Sequence, residues 1–378
     1  MNTPKRRLVL AGLVSLTLVA AACGSSSSSS SSTPAPTTSV ASGDTSASPT
    51  PTTSATKLGA TLNGSGSTFQ RTFDEEAIAA FTEINSGVTI NYGGGGSGKG
   101  RQDLADGIVD WAGTDGTIKD ADLAKYKGGD VLYFPTVVAP ITVGYNLSGV
   151  DKLQLSPATI AKIFQRQIKS WDDSAIAADN PGVTLPATPI TVAHRSDSSG
   201  TTGNFTKFLE KSVGKDAGAI WTLGTDSTVQ WPADTQAGDG NAGVAQIVSS
   251  TAGAIGYIDL SDAIDAKLAL ASVQNKAGKY VAPTLEGASA AASGAKVADN
   301  LTFSTVWAEG DTAYPITSQT WIIAYKKQTD QAKADALKAF LTYILTDGQK
   351  LATTVNYAPL PADLATKALA QVDSLAVG

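Results

Sequence analysis

Apolar residues follow two alternating patterns through most of the chain. Short apolar runs rich in β-branched residues, such as residues 88–92, have the length and composition of strands, and a longer run covers residues 131–145. Between such runs, apolar residues spaced three and four apart, as at Phe73, Ala77 and Phe81, predict amphipathic helices. Strands that alternate with helices are typical of open α/β sheets, where ligands bind beyond the carboxyl ends of the strands.

Three short loops rich in glycine, serine and threonine each lie between a predicted strand and a predicted helix. They are residues 64–69 (GSGSTF), 93–98 (GGGGSG) and 197–202 (DSSGTT). A helix N-terminus presents unpaired N–H groups and the positive end of the helix dipole, so it favours anions. Small residues let the backbone close around the ligand, and hydroxyls add donors. Together the three loops predict a site for a small tetrahedral oxyanion.

Three charged residues refine this prediction. Arg195 and Asp197 flank the third loop at i and i+2, so in an extended segment the Asp197 carboxylate can hold the Arg195 guanidinium toward the anion. Asp115 would repel a fully ionised anion. A ligand that keeps a proton, as phosphate does near neutral pH, can donate it to Asp115, whereas sulfate cannot. The alternatives are a surface ion pair for Arg195 and a turn residue for Asp115.

The N-terminus has the pattern of an export signal. Lys5, Arg6 and Arg7 precede an apolar run over residues 8–22, which ends at the single cysteine of the chain, Cys23. The run is shorter than a typical membrane-spanning helix. This segment resembles a bacterial lipoprotein signal, which implies that Cys23 becomes the acylated first residue of the mature chain. An ordinary secretory signal with an incidental cysteine is the alternative.

Composition divides the rest of the chain into a tether and a body. Residues 24–56 are almost entirely Ser, Thr, Pro, Ala and Gly with one charged residue, Asp44, so they cannot form a core and are expected to be a flexible tether. The remaining residues suffice for two domains. The net charge of the whole chain is −6, which argues against nucleic-acid binding.

Other chemistry finds little support in the residues. Residues 93–99 come close to a nucleotide P-loop, but Gly100 stands where Ser or Thr should bind magnesium. The single histidine, His194, shares strand parity with Val192 and is expected to face a packed side of the sheet. There is no classical zinc cluster and no Gly-x-Ser-x-Gly motif. We predict no metal, no cofactor and no catalysis, with a secreted phosphatase as the open alternative.

Several motifs in the right order resemble the phosphate-binding proteins of bacterial high-affinity phosphate import, which are class II periplasmic-type solute-binding proteins. They are residues 64–69, 96–98 (GSG), 110–115 (DWAGTD), 194–202 (HRSDSSGTT), 253–257 (GAIGY), 346–350 (TDGQK) and 357–361 (YAPLP). The resemblance covers nearly all of the chain after the tether. It departs from the family pattern at Gln70, where the family has proline, and at Lys99, where it has Gly or Ser.

The resemblance implies an α/β fold of two lobes, each a mostly parallel sheet flanked by helices, joined by a hinge with the ligand between them. The first lobe would combine residues 58–139 with residues 314–378, and the second would be residues 140–313. A signal peptide over residues 1–22 and a tether over residues 23–57 would precede them.

The resemblance also implies the contacts to phosphate. The predicted binding group is Ser67, Thr68, Phe69, Ser97, Asp115, Arg195, Ser199, Gly200 and Thr201. Within it Asp115 accepts the proton of the ligand, and Asp197 holds Arg195. The implied partners of this monomer are inorganic phosphate, the permease subunits of a phosphate ABC importer, and the outer face of the cell membrane, reached through a lipid on Cys23. The alternatives are a binder of arsenate, phosphite or sulfate, and a phosphate sensor or adhesin.

Overall fold

The computed structural model describes residues 58–378, so the predicted signal peptide, the tether and Cys23 lie outside the described residues. The strands are β1 (Ala60–Gly66), β2 (Val88–Gly95), β3 (Trp111–Thr114), β4 (Val131–Tyr145), β5 (Gln154–Leu155), β6 (Thr191–Arg195), β7 (Gln236–Gly238), β8 (Ala254–Asp259), β9 (Ala269–Leu270), β10 (Ser272–Gln274), β11 (Tyr280–Val281), β12 (Thr317–Tyr325), β13 (Lys327–Gln328) and β14 (Ala376–Val377).

The helices alternate with these strands, as the apolar periodicity predicts. They are α1 (Arg71–Ile84), α2 (Gly96–Ala105), α3 (Pro157–Phe164), α4 (Ser174–Asp179), α5 (Gly200–Val213), α6 (Gly240–Ser250), α7 (Leu260–Asp265), α8 (Leu285–Ser293), α9 (Gln331–Leu345) and α10 (Ala362–Val372), with 3-10 turns at Asp120–Lys125 and Asp347–Val355. Of the helices in residues 58–378, none combines the length and the hydropathy needed to cross a membrane.

A nine-stranded sheet organises this part of the chain. Its order is β2-β1-β3-β12-β4-β8-β6-β7, with β9 added on β4. We call β1, β2, β3 and β12 its first half, and β6, β7 and β8 its second half. β1 runs parallel to β2 and β3, and β6 runs parallel to β7 and β8. The α/β class is confirmed, but the two predicted sheets are joined into one, because β4 pairs with both β12 and β8. The sheet is mixed, because β4 and β12 run antiparallel to their neighbours.

The long strand β4 belongs to both halves of the sheet. It pairs with β12 as far as Pro140 and with β8 from Ile141 onward. At about 3.3 Å per residue, a strand of 15 residues is long enough to serve both sets of partners. The predicted lobe boundaries near Pro140 and Tyr314 stay a prediction.

Aromatic side chains fill the core under both halves. Under the first half, Trp111 is fully buried and stacks on Tyr92 with ring centroids 4.9 Å apart. Under the second half, Phe205 stacks on Tyr257 at 4.5 Å. These packed layers hold the strand ends in place, and β1, β2, β6 and β7 lead directly into α1, α2, α5 and α6. Four helices therefore begin at the carboxyl ends of parallel strands.

Candidate anion-binding site

The predicted loops, which follow strands of both halves of the sheet, lie in contact with one another. The backbone N–H of Gly98, in the first turn of α2, donates to the carbonyl of Ser198 at 2.8 Å, which joins the second loop to the third. All nine residues of the predicted binding group are buried. The structure thus brings together residues that are up to 134 positions apart, between Ser67 and Thr201.

Asp115 is the centre of the hydrogen-bond network in this site. Its side chain is 1% exposed. Oδ1 accepts from the hydroxyl of Ser67 at 2.5 Å and from that of Thr320 at 2.7 Å, and Oδ2 accepts from the hydroxyl of Ser97 at 3.2 Å. Burial raises the pKa of Asp115, and the three hydroxyls and the charge of Arg195 oppose that rise. A buried carboxylate with a raised pKa is a strong proton acceptor.

Arg195 is held in one orientation by Asp197. Nε of the guanidinium donates to Asp197 Oδ1 at 2.7 Å, and Nη2 pairs with Oδ2 of the same carboxylate. Nη1 donates to the hydroxyl of Thr201 at 3.2 Å. Asp197 also accepts from the backbone N–H of Gly240 at 3.2 Å, so the first residue of α6 supports the pair. The result is a buried and fixed cation beside the start of α5.

Two members of the predicted group use their polar atoms within their own loops. The backbone N–H of Phe69 donates to the hydroxyl of Ser67 at 3.0 Å, whose proton in turn goes to Asp115. The hydroxyl of Ser199 caps α5 by accepting from the backbone N–H of Thr202 at 3.1 Å. These bonds shape the loops, and they leave Ser67 a positioning role beside Asp115.

Close approach requires glycine at several positions of the site, among them Gly200 and Gly66. A Cβ on Gly200 would lie 2.4 Å from Ser97 Oγ, so α5 can come this near to the Ser97 and Asp115 side chains only without a side chain there. Gly66 has a φ of +130°, and its Cβ would lie 2.3 Å from the carbonyl oxygen of Gly113.

Several polar residues that the sequence analysis missed complete the site. On β12, Thr320 bonds Asp115 and also the side chain of Gln70, whose Nε2 donates to Asp74 at 2.9 Å. Asn204 donates to the carbonyl of Asp115 at 2.8 Å, and Asn241 contacts Thr68 and Thr201. The signals available in the sequence were a fourth loop with small residues, residues 239–243 (DGNAG), and a polar run, residues 317–320 (TSQT).

His194 lies beside the site and not within the hydroxyl network. Its ring stacks on Trp231 with centroids 5.2 Å apart, and Nδ1 is 2.9 Å from the carbonyl oxygen of Arg195. The ring packs as predicted, although the side chain is half-buried and not fully enclosed. Burial lowers its pKa. Within residues 58–378, no group of His, Cys, Asp and Glu side chains is arranged to hold a metal ion.

The arrangement as a whole can hold a small oxyanion that carries a proton. Arg195, the hydroxyls and the first turns of α2 and α5 supply donors, and Asp115 supplies one acceptor. The residues of the site come from both halves of the sheet, at the carboxyl ends of parallel strands. This is the position expected for a ligand in an open α/β sheet.

Comparison with known proteins agrees with this class of fold and site. The PBP superfamily domain matches residues 37–348. The chain is similar to a solved high-affinity periplasmic phosphate-binding protein, PfluDING with phosphate bound, at a TM-score of 0.69 and 22% identity, over 82% of this chain and 94% of that one. This structural likeness concerns the fold alone, which is that of the solute-binding proteins of this superfamily.

Curated relatives define the family more narrowly. The chain is 37% identical to phosphate-binding protein PstS of Methanocaldococcus jannaschii over 339 residues, which cover 83% of this chain and 86% of that protein. It is 33% identical to phosphate-binding protein PstS 2 of Mycobacterium tuberculosis over 328 residues, covering 83% and 87%. The chain therefore belongs to the family of phosphate-binding proteins within the PBP superfamily.

Proposed function

We propose that this protein binds inorganic phosphate outside the cytoplasm and delivers it to the permease of an ABC-type phosphate importer. The observation that carries the proposal is that one site contains both a buried acceptor, Asp115, and a buried cation, Arg195. Hydroxyls and helix N-termini surround them. Phosphate near neutral pH has both unprotonated oxygens for the donors and a proton for Asp115. Family membership supports the same ligand.

The binding group proposed is Thr68, Phe69, Ser97, Asp115, Arg195, Ser199, Gly200 and Thr201, with Ser67 beside Asp115 and Asp197 behind Arg195. In this proposal residues 58–139 and 314–378 form one lobe and residues 140–313 the other, and the two close on phosphate about a hinge at the chain crossings near Pro140 and Tyr314. A monomer anchored to the outer face of the membrane through a lipid on Cys23 would present the ligand to the permease. The protein would act as a binder and not as an enzyme.

Calorimetric titration tests the anion and the role of Asp115 together. The purified protein is unfolded, washed free of ligand, refolded and titrated at neutral pH with phosphate and then with sulfate. We expect tight one-to-one binding of phosphate and no binding of sulfate. Asp115→Asn should weaken selection against sulfate, because an amide in place of the carboxylate can donate to a fully ionised oxygen. Equal binding of both anions by the unaltered protein would contradict the proposal.

The membrane anchor has its own test, which is independent of ligand binding. When the producing cells are fed labelled palmitate, the unaltered protein should carry the label, and Cys23→Ala should abolish it while leaving phosphate affinity unchanged. A label that persists after this substitution would contradict lipidation at Cys23.

A further inference from the structure

Asn241 lies in the first turn of α6 and contacts two residues of the predicted binding group, Thr68 and Thr201. Its side chain is fully buried. Nδ2 lies 3.2 Å from Thr68 Oγ1 and 3.3 Å from Thr201 Oγ1, and Oδ1 accepts from the backbone N–H of Asp259 at 3.3 Å. Because only the oxygen of the amide can accept from that N–H, the NH2 group must be the end that faces the two threonines. Asn241 is therefore a donor to both hydroxyls.

The hydroxyl of Thr68 uses both of its lone pairs for Asn241. It accepts from Nδ2 and also from the backbone N–H of Asn241, which lies 3.3 Å away. A hydroxyl oxygen has two acceptor lone pairs and one proton. Among residues 58–378, no atom accepts the proton of Thr68. That proton is available to a ligand, and the oxygen has no further capacity to accept.

The hydroxyl of Thr201, in the first turn of α5, also has both lone pairs occupied. One lone pair accepts from Asn241 Nδ2 and the second from Arg195 Nη1 at 3.2 Å. In the described part of the chain its proton likewise has no acceptor. A single buried amide thus acts on two site hydroxyls, one before α1 and one in α5.

We propose that Asn241 is a positioning residue that makes Thr68 and Thr201 obligate donors toward the bound anion. This inference rests on the proposed function, since it concerns how the same site holds phosphate. Two hydroxyls that can only donate suit oxygens without a proton, and Asp115 serves the oxygen that has one. Asn241 acts through the two threonines and selects for the protonation pattern of the ligand.

A double-mutant cycle measures this action directly. In Asn241→Asp a carboxylate replaces the donor and accepts the hydroxyl protons, so both threonines turn their lone pairs to the anion. Each charge-assisted hydrogen bond that is lost should weaken phosphate binding about tenfold. Calorimetry should therefore show about a hundredfold weaker phosphate binding. In a Thr68→Val, Thr201→Val background, the loss of phosphate affinity caused by Asn241→Asp should be smaller by a factor of about ten or more. Only the charge repulsion between the introduced carboxylate and the anion, and no effect through the hydroxyls, remains in that background.

Two further variants keep the inference testable if Asn241→Asp folds poorly. Asn241→Ala leaves both hydroxyls free to donate and should weaken binding about three- to tenfold, a loss that disappears in the double-valine background. The matched control is Asn275→Asp. Asn275 is also buried, at 2% exposure, but its amide bonds the carbonyls of Gly310 and Asp311. This control should lower the melting temperature and leave phosphate affinity unchanged.

The outcomes separate this inference from the proposed function. Equal losses from Asn241→Asp in the two backgrounds would overturn the positioning role, because the effect would not pass through the threonines. Unchanged affinity in Asn241→Asp would overturn it as well. If the unaltered protein binds no phosphate, the proposed function itself fails, and the inference about its hydroxyls fails with it.

Discussion

The first residue of α5, Gly200, lies close to the side chains of Ser97 and Asp115, and adding one methyl group there tests the geometry of the site. In Gly200→Ala the new Cβ would lie 2.4 Å from Ser97 Oγ, 2.5 Å from Asp115 Oδ2 and 2.7 Å from Asp115 Cβ, against 3.4–4 Å for ordinary contact. The groups must separate by roughly 1 Å in a packed interior, and overpacking of this kind costs about 1–3 kcal/mol. Phosphate affinity should fall about 5- to 150-fold.

A matched control is available in the same helix. Gly203 lies one turn further along α5, and a Cβ there would find its nearest neighbour, the backbone nitrogen of Ser227, at 3.8 Å. Gly203→Ala replaces a glycine inside the helix by a better helix former, with a gain of about 1 kcal/mol in helix propensity. Gly203→Ala should therefore raise the melting temperature and leave affinity unchanged.

The assay is calorimetric titration with phosphate for both variants, with thermal melts in the absence of phosphate. We expect a loss of affinity that is specific to Gly200→Ala. If Gly200→Ala binds phosphate as tightly as the unaltered protein, the contact between α5 and Asp115 does not exist in the bound state. A loss of the same size in Gly203→Ala would point to a general change in α5.

Two further predictions follow from charges near the site. Burial raises the pKa of Asp74 well above its usual value, so the native state binds its proton more tightly than the unfolded state does. Stability from this group is lost as pH rises through the raised pKa. The melting temperature of Asp74→Asn minus that of the unaltered protein should thus increase between about pH 4 and about pH 8. A difference that decreases over this range would contradict the prediction. Lys119 pairs with Asp226 at 2.7 Å, with the two side chains 61% and 41% exposed. Because exposed pairs contribute about 0–1 kcal/mol, Lys119→Met should weaken phosphate binding no more than about fivefold and only at low salt. A larger loss that persists at high salt would assign the pair a greater role.

The parts of the site that depend on local sequence could be predicted. α2 begins at Gly96 and α5 at Gly200, both within loops identified by their small residues. The apolar run over residues 131–145 coincides with β4. In each case the determining interactions lie within one strand or one helical turn, so composition and periodicity suffice.

The parts that depend on distant contacts could not be predicted. β7 has only three residues, too few to show a strand period, so the fourth loop with Asn241 was not recognised. Thr320 contacts Asp115 across 205 positions of sequence. The first four residues of its strand are polar yet buried, and the register shift between Gln319 and Trp321 that accompanies Thr320 is a property of pairing with β4. No periodicity in the strand itself encodes that pairing.

The place of β12 in the sheet also sets an order for folding. β3 and β4 are near neighbours in sequence, yet they do not pair with each other, because β12 lies between them and comes from Thr317–Tyr325. Until the ribosome has released that segment, each of these earlier strands keeps an edge without its partner. Closing such distant pairs is slow, and unpaired edges invite association between chains. A chain stopped near residue 310 should therefore aggregate, whereas the complete chain can seal both edges with one strand.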